Sequence, residues 1–80
     1  MSNYHFNLVF RPESEGGYTV IVPALPGCIT YGKTLDEAKA MAKDAIEGYL
    51  ASQAKHSEEI RDDAESLISS LDLEKNLQHA

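Results

Sequence analysis

Residues 4–10 alternate without interruption. Tyr4, Phe6, Leu8 and Phe10 fall on one face of an extended chain, and His5, Asn7 and Val9 fall on the other. A period of two is the mark of a half-buried strand, because successive side chains of a strand point to opposite faces. Pro12 and the stretch Glu15-Gly16-Gly17 end the run, since proline lacks the ladder donor and glycine supplies turn geometry. The alternation resumes over residues 17–22, with Tyr18, Val20 and Val22 set against Thr19 and Ile21. So short a connection predicts an antiparallel hairpin. Pro23-Ala24-Leu25-Pro26-Gly27 breaks the pattern again, and residues 28–31 read as a third short strand closed by Gly32.

The period then changes. Thr34 followed by Glu37 forms a capping box, in which each side chain accepts an amide that the first helical turn leaves unpaired. Asp36 and Glu37 suit the positive end of the helix dipole. Leu35, Ala38, Ala42, Ala45, Ile46, Tyr49 and Leu50 recur at three- and four-residue steps, predicting a helix over 35–52. Its Leu35, Ala42, Ile46 and Tyr49 should face the sheet. Beyond it, residues 57–65 collect five of the chain's 13 acidic residues and read as a solvated linker. Residues 60–71 fit a helical stripe, while 67–73 fit a strand; periodicity leaves both open. Residues 74–80 are a polar tail. The whole reads as a single domain, 1–80, of α+β class: an antiparallel hairpin sheet covered by one long helix.

Composition narrows the function. Thirteen acids against seven bases give a net charge of −6, which disfavours non-specific nucleic-acid binding, where Lys and Arg must replace phosphate counterions. Cys28 is the single cysteine, so neither an internal disulfide nor a cysteine-based zinc ribbon can form. The first residues have no basic-then-apolar signal pattern, and no stretch approaches the roughly 18 apolar residues of a membrane span. The expected setting is cytoplasmic.

No catalyst is visible. The strand order resembles a truncated ribonuclease H-like layout, whose chemistry gathers several carboxylates around two cations. Residues 4–10 and 17–31 contain no acid at all. His5, His56 and His79 are dispersed, and Cys28 beside Gly27 reads as a packed thiol rather than a nucleophile. The acidic run lacks the spacing of a calcium loop, and Gly16-Gly17 is a hairpin tip rather than a phosphate cradle. The residues therefore describe a binding module without enzymatic activity, metal or cofactor.

One stretch resembles a known family. The run Tyr18-Thr19-Val20-Ile21-Val22-Pro23-Ala24-Leu25-Pro26-Gly27-Cys28, continuing through Thr30-Tyr31-Gly32 into Thr34-Leu35-Asp36-Glu37-Ala38, is similar to the HicB antitoxins of bacterial type II toxin–antitoxin modules. The Ala45-Ile46-Glu47 and Tyr49-Leu50 pairs continue the likeness, which covers about residues 4–52 well. The resemblance implies a partial ribonuclease H-like fold, βββαβ, without that fold's active site. Asp63-Ala64-Glu65-Ser66 looks like the acidic stretch that precedes the last strand in the family, which favours a strand at 67–73. It also implies a partner: a small basic HicA-like ribonuclease toxin that cuts messenger RNA. Many members carry a C-terminal DNA-binding domain, and Glu74 to Ala80 cannot build one, so direct operator binding is not expected.

An acidic, preorganised surface would compete with RNA for the toxin's basic face, charge setting the encounter and apolar anchors the residence time. The candidate contacts are Glu13, Glu15, Tyr18, Leu25 and Tyr31, with Pro23, Pro26 and Gly27 shaping the loop and residues 58–65 as a second contact. A small domain with one uncovered sheet face, bearing Asn7, Val9, Thr19 and Ile21, should be at least a dimer through that face or a strand edge. The rival reading is a stand-alone oligomeric adaptor with no toxin.

Overall fold

A computed structural model describes residues 3–75. The element order is β1 (Val9–Pro12), β2 (Tyr18–Ile21), β3 (Ile29–Gly32) and α1 (Leu35–Lys55). The strands form one antiparallel sheet in the order β1-β2-β3, with Val9 opposite Ile21 and Ile21 opposite Ile29. This is the expected α+β class, with α1 lying on one face of the sheet.

The core is small and comes in two parts. Val20 on β2 meets Ala38 and Ala42 of α1, with Leu8, Phe10 and Tyr18 packed around them. Small residues on the helix let its backbone come close: a Cβ placed on Gly32 would lie 2.3 Å from the Ala38 nitrogen. The second part joins Val22, Leu25 and Cys28 to Phe6, Leu8 and the later helix residues Ala45, Ile46, Tyr49 and Leu50. Ala42, Ile46 and Tyr49 thus face inward as expected, but Leu35 does not. It sits in the first turn, 51% exposed, because the helix meets the sheet through Ala38 against Gly32.

Both helix ends have identifiable stops. Thr34 accepts the Glu37 amide at 3.0 Å, and the Glu37 carboxylate accepts the Lys33 amide at 2.6 Å, one residue before the position a capping box predicts. The helix runs to Lys55 rather than 52. Ser57 then takes a left-handed φ of 57°, and the Ser57 and Glu58 amides bond the Ala54 and Gln53 carbonyls. That is a Schellman stop built on serine in place of glycine.

Two expectations about strands need correction. The first strand pairs over 9–12, not 4–10. Residues opposite its start are consumed by the 22–28 loop, so β2 offers residues 3–8 no ladder. Pro12 is accommodated because β1 is an edge strand. The last strand, expected over 67–73, is not formed, and neither is a helix there. A turn is closed by the Ser66 amide on the Asp63 carbonyl, 3.0 Å, and Ser66 to Ser69 then pass beside Asn7, Val9 and Pro23 without forming a ladder. Leu67, Ile68, Leu71 and Leu73 are all exposed. The structure therefore supports the three-strand, one-helix arrangement and not the completed ribonuclease H-like order.

Candidate partner-binding surface

The loop between β2 and β3 is two successive turns. The Leu25 amide donates to the Val22 carbonyl at 3.0 Å, and the Cys28 amide donates to the Leu25 carbonyl at 2.9 Å. Pro23 and Pro26 each occupy the second position of a turn, where their fixed φ is favourable. Gly27 follows with φ 82°, as a type II turn requires. The Tyr49 hydroxyl donates to the Pro26 carbonyl at 3.0 Å and ties the loop to α1. The three loop-shaping residues thus stand in turn positions, and what they shape is a cover for the core.

Leu25 is the consequence. It is 1% exposed, closed in by Val22, Cys28 and the helix, because the turns on either side point its side chain inward. Tyr18 packs around Val20 on the helix side of the sheet.

The other candidates gather around the β1–β2 hairpin tip on the opposite face. Tyr31, 46% exposed, donates its hydroxyl to the Gly16 carbonyl at 2.8 Å. Its ring lies so close over Gly17 that any Cβ there would collide with it. The Glu13 carboxylate accepts the Thr19 hydroxyl, and Thr19 pairs with both Arg11 and Tyr31 across the sheet. Glu15 is exposed at the tip. Beside this row lies a second one, Val9–Ile21–Ile29, in which Val9 and Ile29 are 41% and 60% exposed. Ile29 was not among the sequence candidates. Its signal was available: it shares strand and face with Tyr31 two residues on.

The acidic stretch is also more than a solvated linker. The Asp63 amide donates to the His5 carbonyl at 2.6 Å, and the Asp63 carboxylate accepts the Asn7 amide at 2.8 Å, with Asp63 itself buried. The Asp62 carboxylate accepts the His5 amide at 2.9 Å and the Ala64 amide at 3.2 Å. Two aspartates thus satisfy the backbone that β2 leaves unpaired. The amide of His5, then that of Ala64, holds the Asp62 carboxyl below its usual range. A lowered carboxyl pKa stabilises the fold above the unfolded value and loses that contribution as pH falls through the folded one. The Asp62 tether should therefore hold at neutral pH and weaken only below about pH 3.9, the ordinary Asp value. Amide chemical shifts of His5 and Ala64 should move together in acid, and Asp62→Asn should abolish that movement.

Burial pushes the Cys28 thiol pKa up, leaving little thiolate at neutral pH. Among the described residues, no group of three or more His, Cys, Asp or Glu side chains could hold a metal ion. No described helix is long and apolar enough to cross a membrane.

A short sheet with one face under a helix and the other presenting an apolar row beside an acidic hairpin tip defines a small α+β domain. Residues 6–79 match the family described as HicB-like antitoxin of bacterial toxin–antitoxin systems, and the chain belongs to that family. It is 46% identical over 63 residues to a UPF0150 protein of Thermoplasma acidophilum, covering 78% of this chain and 91% of that one. A UPF0150 protein of Archaeoglobus fulgidus is 49% identical over 45 residues, 56% of this chain and 65% of the relative. Antitoxin HicB 1 of Photorhabdus laumondii is 39% identical over 46 residues, 58% of this chain and only 30% of that longer protein.

Proposed function

We propose that this chain is a cytoplasmic antitoxin without enzymatic activity of its own, which binds and neutralises a small basic HicA-like ribonuclease and works as at least a dimer. Family membership supports the antitoxin role. The observation that carries the contact surface is the row Val9–Ile21–Ile29 with Tyr31 beside it, left open on a sheet whose other face is covered. Glu13 and Glu15 stand at its margin, and the chain's net charge of −6 favours a basic partner. Exposed acids at a rim steer encounter, while desolvated apolar residues at the centre slow dissociation. Tyr18 and Leu25 contribute by holding the sheet and loop in shape.

The test is co-expression with a basic ribonuclease of the HicA type encoded in an adjacent open reading frame, followed by RNA-protection and binding kinetics. Ile29→Asp should leave thermal stability nearly unchanged, since surface substitutions usually stay within about 0.5 kcal/mol. It should nevertheless weaken binding by at least about 30-fold, as a central anchor worth roughly 2 kcal/mol requires. Glu13→Lys with Glu15→Lys should slow association several-fold and flatten its dependence on salt. Unprotected RNA at saturating wild-type protein would sink the reading and leave the stand-alone adaptor.

A further inference from the structure

From Leu67 onward the chain leaves its large apolar side chains exposed. Its radius of gyration is 15.7 Å, with extents of 50 × 29 × 23 Å, where a compact domain of 80 residues would have about 12 Å. Leu67, Ile68, Leu71 and Leu73 are 96, 73, 83 and 72% exposed. Such a run of leucine and isoleucine in water is unusual for a finished surface.

The same chain carries an unfilled apolar groove. Helix α1 lies over β3 and β2. Between α1 and the segment that precedes β1 lies a groove of about 490 Å³, floored by Phe6, Leu8, Ala40 and Ile46 and edged by Lys39 and Lys43 together with Asp36 and Glu47. Lys43 is paired with Glu47, whereas Lys39 makes no ion pair among the described residues. The chain's own segment does not fill it: none of residues 66–74 lines the groove, and Ser66 to Ser69 run instead beside Asn7, Leu8, Val9 and Pro23.

We propose that residues 67–74 are an exchange arm, which lies in the Phe6–Leu8–Ala40–Ile46 groove of a second copy while that copy's arm fills the groove of the first. In extended form Leu67, Leu71 and Leu73 share one face and meet the apolar floor. Ile68, Asp72 and Glu74 share the other, with the two acids at the rim, where Lys39 stands beside Asp36. Both halves of the contact are on one chain, so a twofold exchange covers the leucines of both arms, fills both grooves and closes on itself. This deepens the oligomeric part of the reading above and rests on it, but not on the ribonuclease partner.

The test uses the full chain. Light scattering at micromolar concentration should give twice 8.8 kDa, and L71D with L73D should weaken the dimer at least tenfold while helix content stays unchanged. Co-expression of A40C and L71C chains, both also carrying C28S, should give a covalent heterodimer on oxidation. A chain with all three substitutions should form no intrachain disulfide at high dilution. A wild-type monomer, a dimer indifferent to the two aspartates, or an intrachain disulfide would overturn the exchange. Arm amides protected from exchange only after the basic ribonuclease is added would overturn it as well, assigning the arm to that partner. RNA protection by L71D/L73D is scored separately, so the arm and the antitoxin reading fail independently.

Discussion

Leu25→Ala is expected to cost about 2–5 kcal/mol, the usual range for truncating a fully buried leucine. Leu25 is 1% exposed and fills the space between Val22, Cys28 and the second half of α1. The loop around it cannot collapse easily to fill the gap. Its path is set by two turns with prolines, and the Tyr49–Pro26 bond anchors it to the helix. Small domains are often stable by only about 5–15 kcal/mol, so the loss takes a large part of the total. Calorimetry should show the transition falling by roughly 4–8 °C per kcal/mol. On the proposed antitoxin role, binding of the basic partner measured on the fraction that remains folded should be nearly normal, because Leu25 is buried. A folded, fully stable L25A that loses toxin affinity would contradict its burial.

Gly32→Val is the second large effect. The close approach of helix and sheet at this point is between backbones: a Cβ on Gly32 would stand 2.3 Å from the Ala38 nitrogen and 2.4 Å from its Cα. Neither is the movable end of a side chain. The start of α1 must lift from β3, pulling Ala38 and Ala42 away from Val20. Overpacking typically costs about 1–3 kcal/mol and more where backbone must shift. Chemical denaturation should show a lowered midpoint, and helical signal should fall most in the first turns. Gly48→Ala is the control, since a Cβ there meets nothing within 4 Å. It should raise stability by a few tenths to about 1 kcal/mol.

Several of these features could be read from local pattern alone. The alternation Tyr18–Val22 sets a strand with Val20 inward, and it does so in the structure. Thr34 and Glu37 mark the helix start, and Pro-x-x-Pro-Gly marks turns. Each depends on residues within one turn or one hairpin, where backbone preference and side-chain spacing act without help from elsewhere. The helix end was less legible because Ser57 takes a conformation usually left to glycine. The candidate surface was legible in part. Glu13, Glu15 and Tyr31 do meet at one hairpin tip, but Leu25 turned inward, and Ile29 was passed over because its exposure depends on which face the helix covers.

By itself, then, the sequence determined the types of the first three strands and the helix, the antiparallel hairpin, the helix cap and the family. Tertiary structure alone decided where the first strand stops pairing, which of Leu25 and Ile29 is buried, and what the aspartates do. Asp62 and Asp63 look like a solvated acidic run until they are found bonding His5 and Asn7, 56 to 58 positions away in the chain. The fate of residues 67–73 belongs to the same class. A strand is a property of two segments, and its own alternation cannot say whether the edge it needs is within reach. Contacts made across the whole chain leave no periodic trace in either segment, which is why they appear only once the chain is folded.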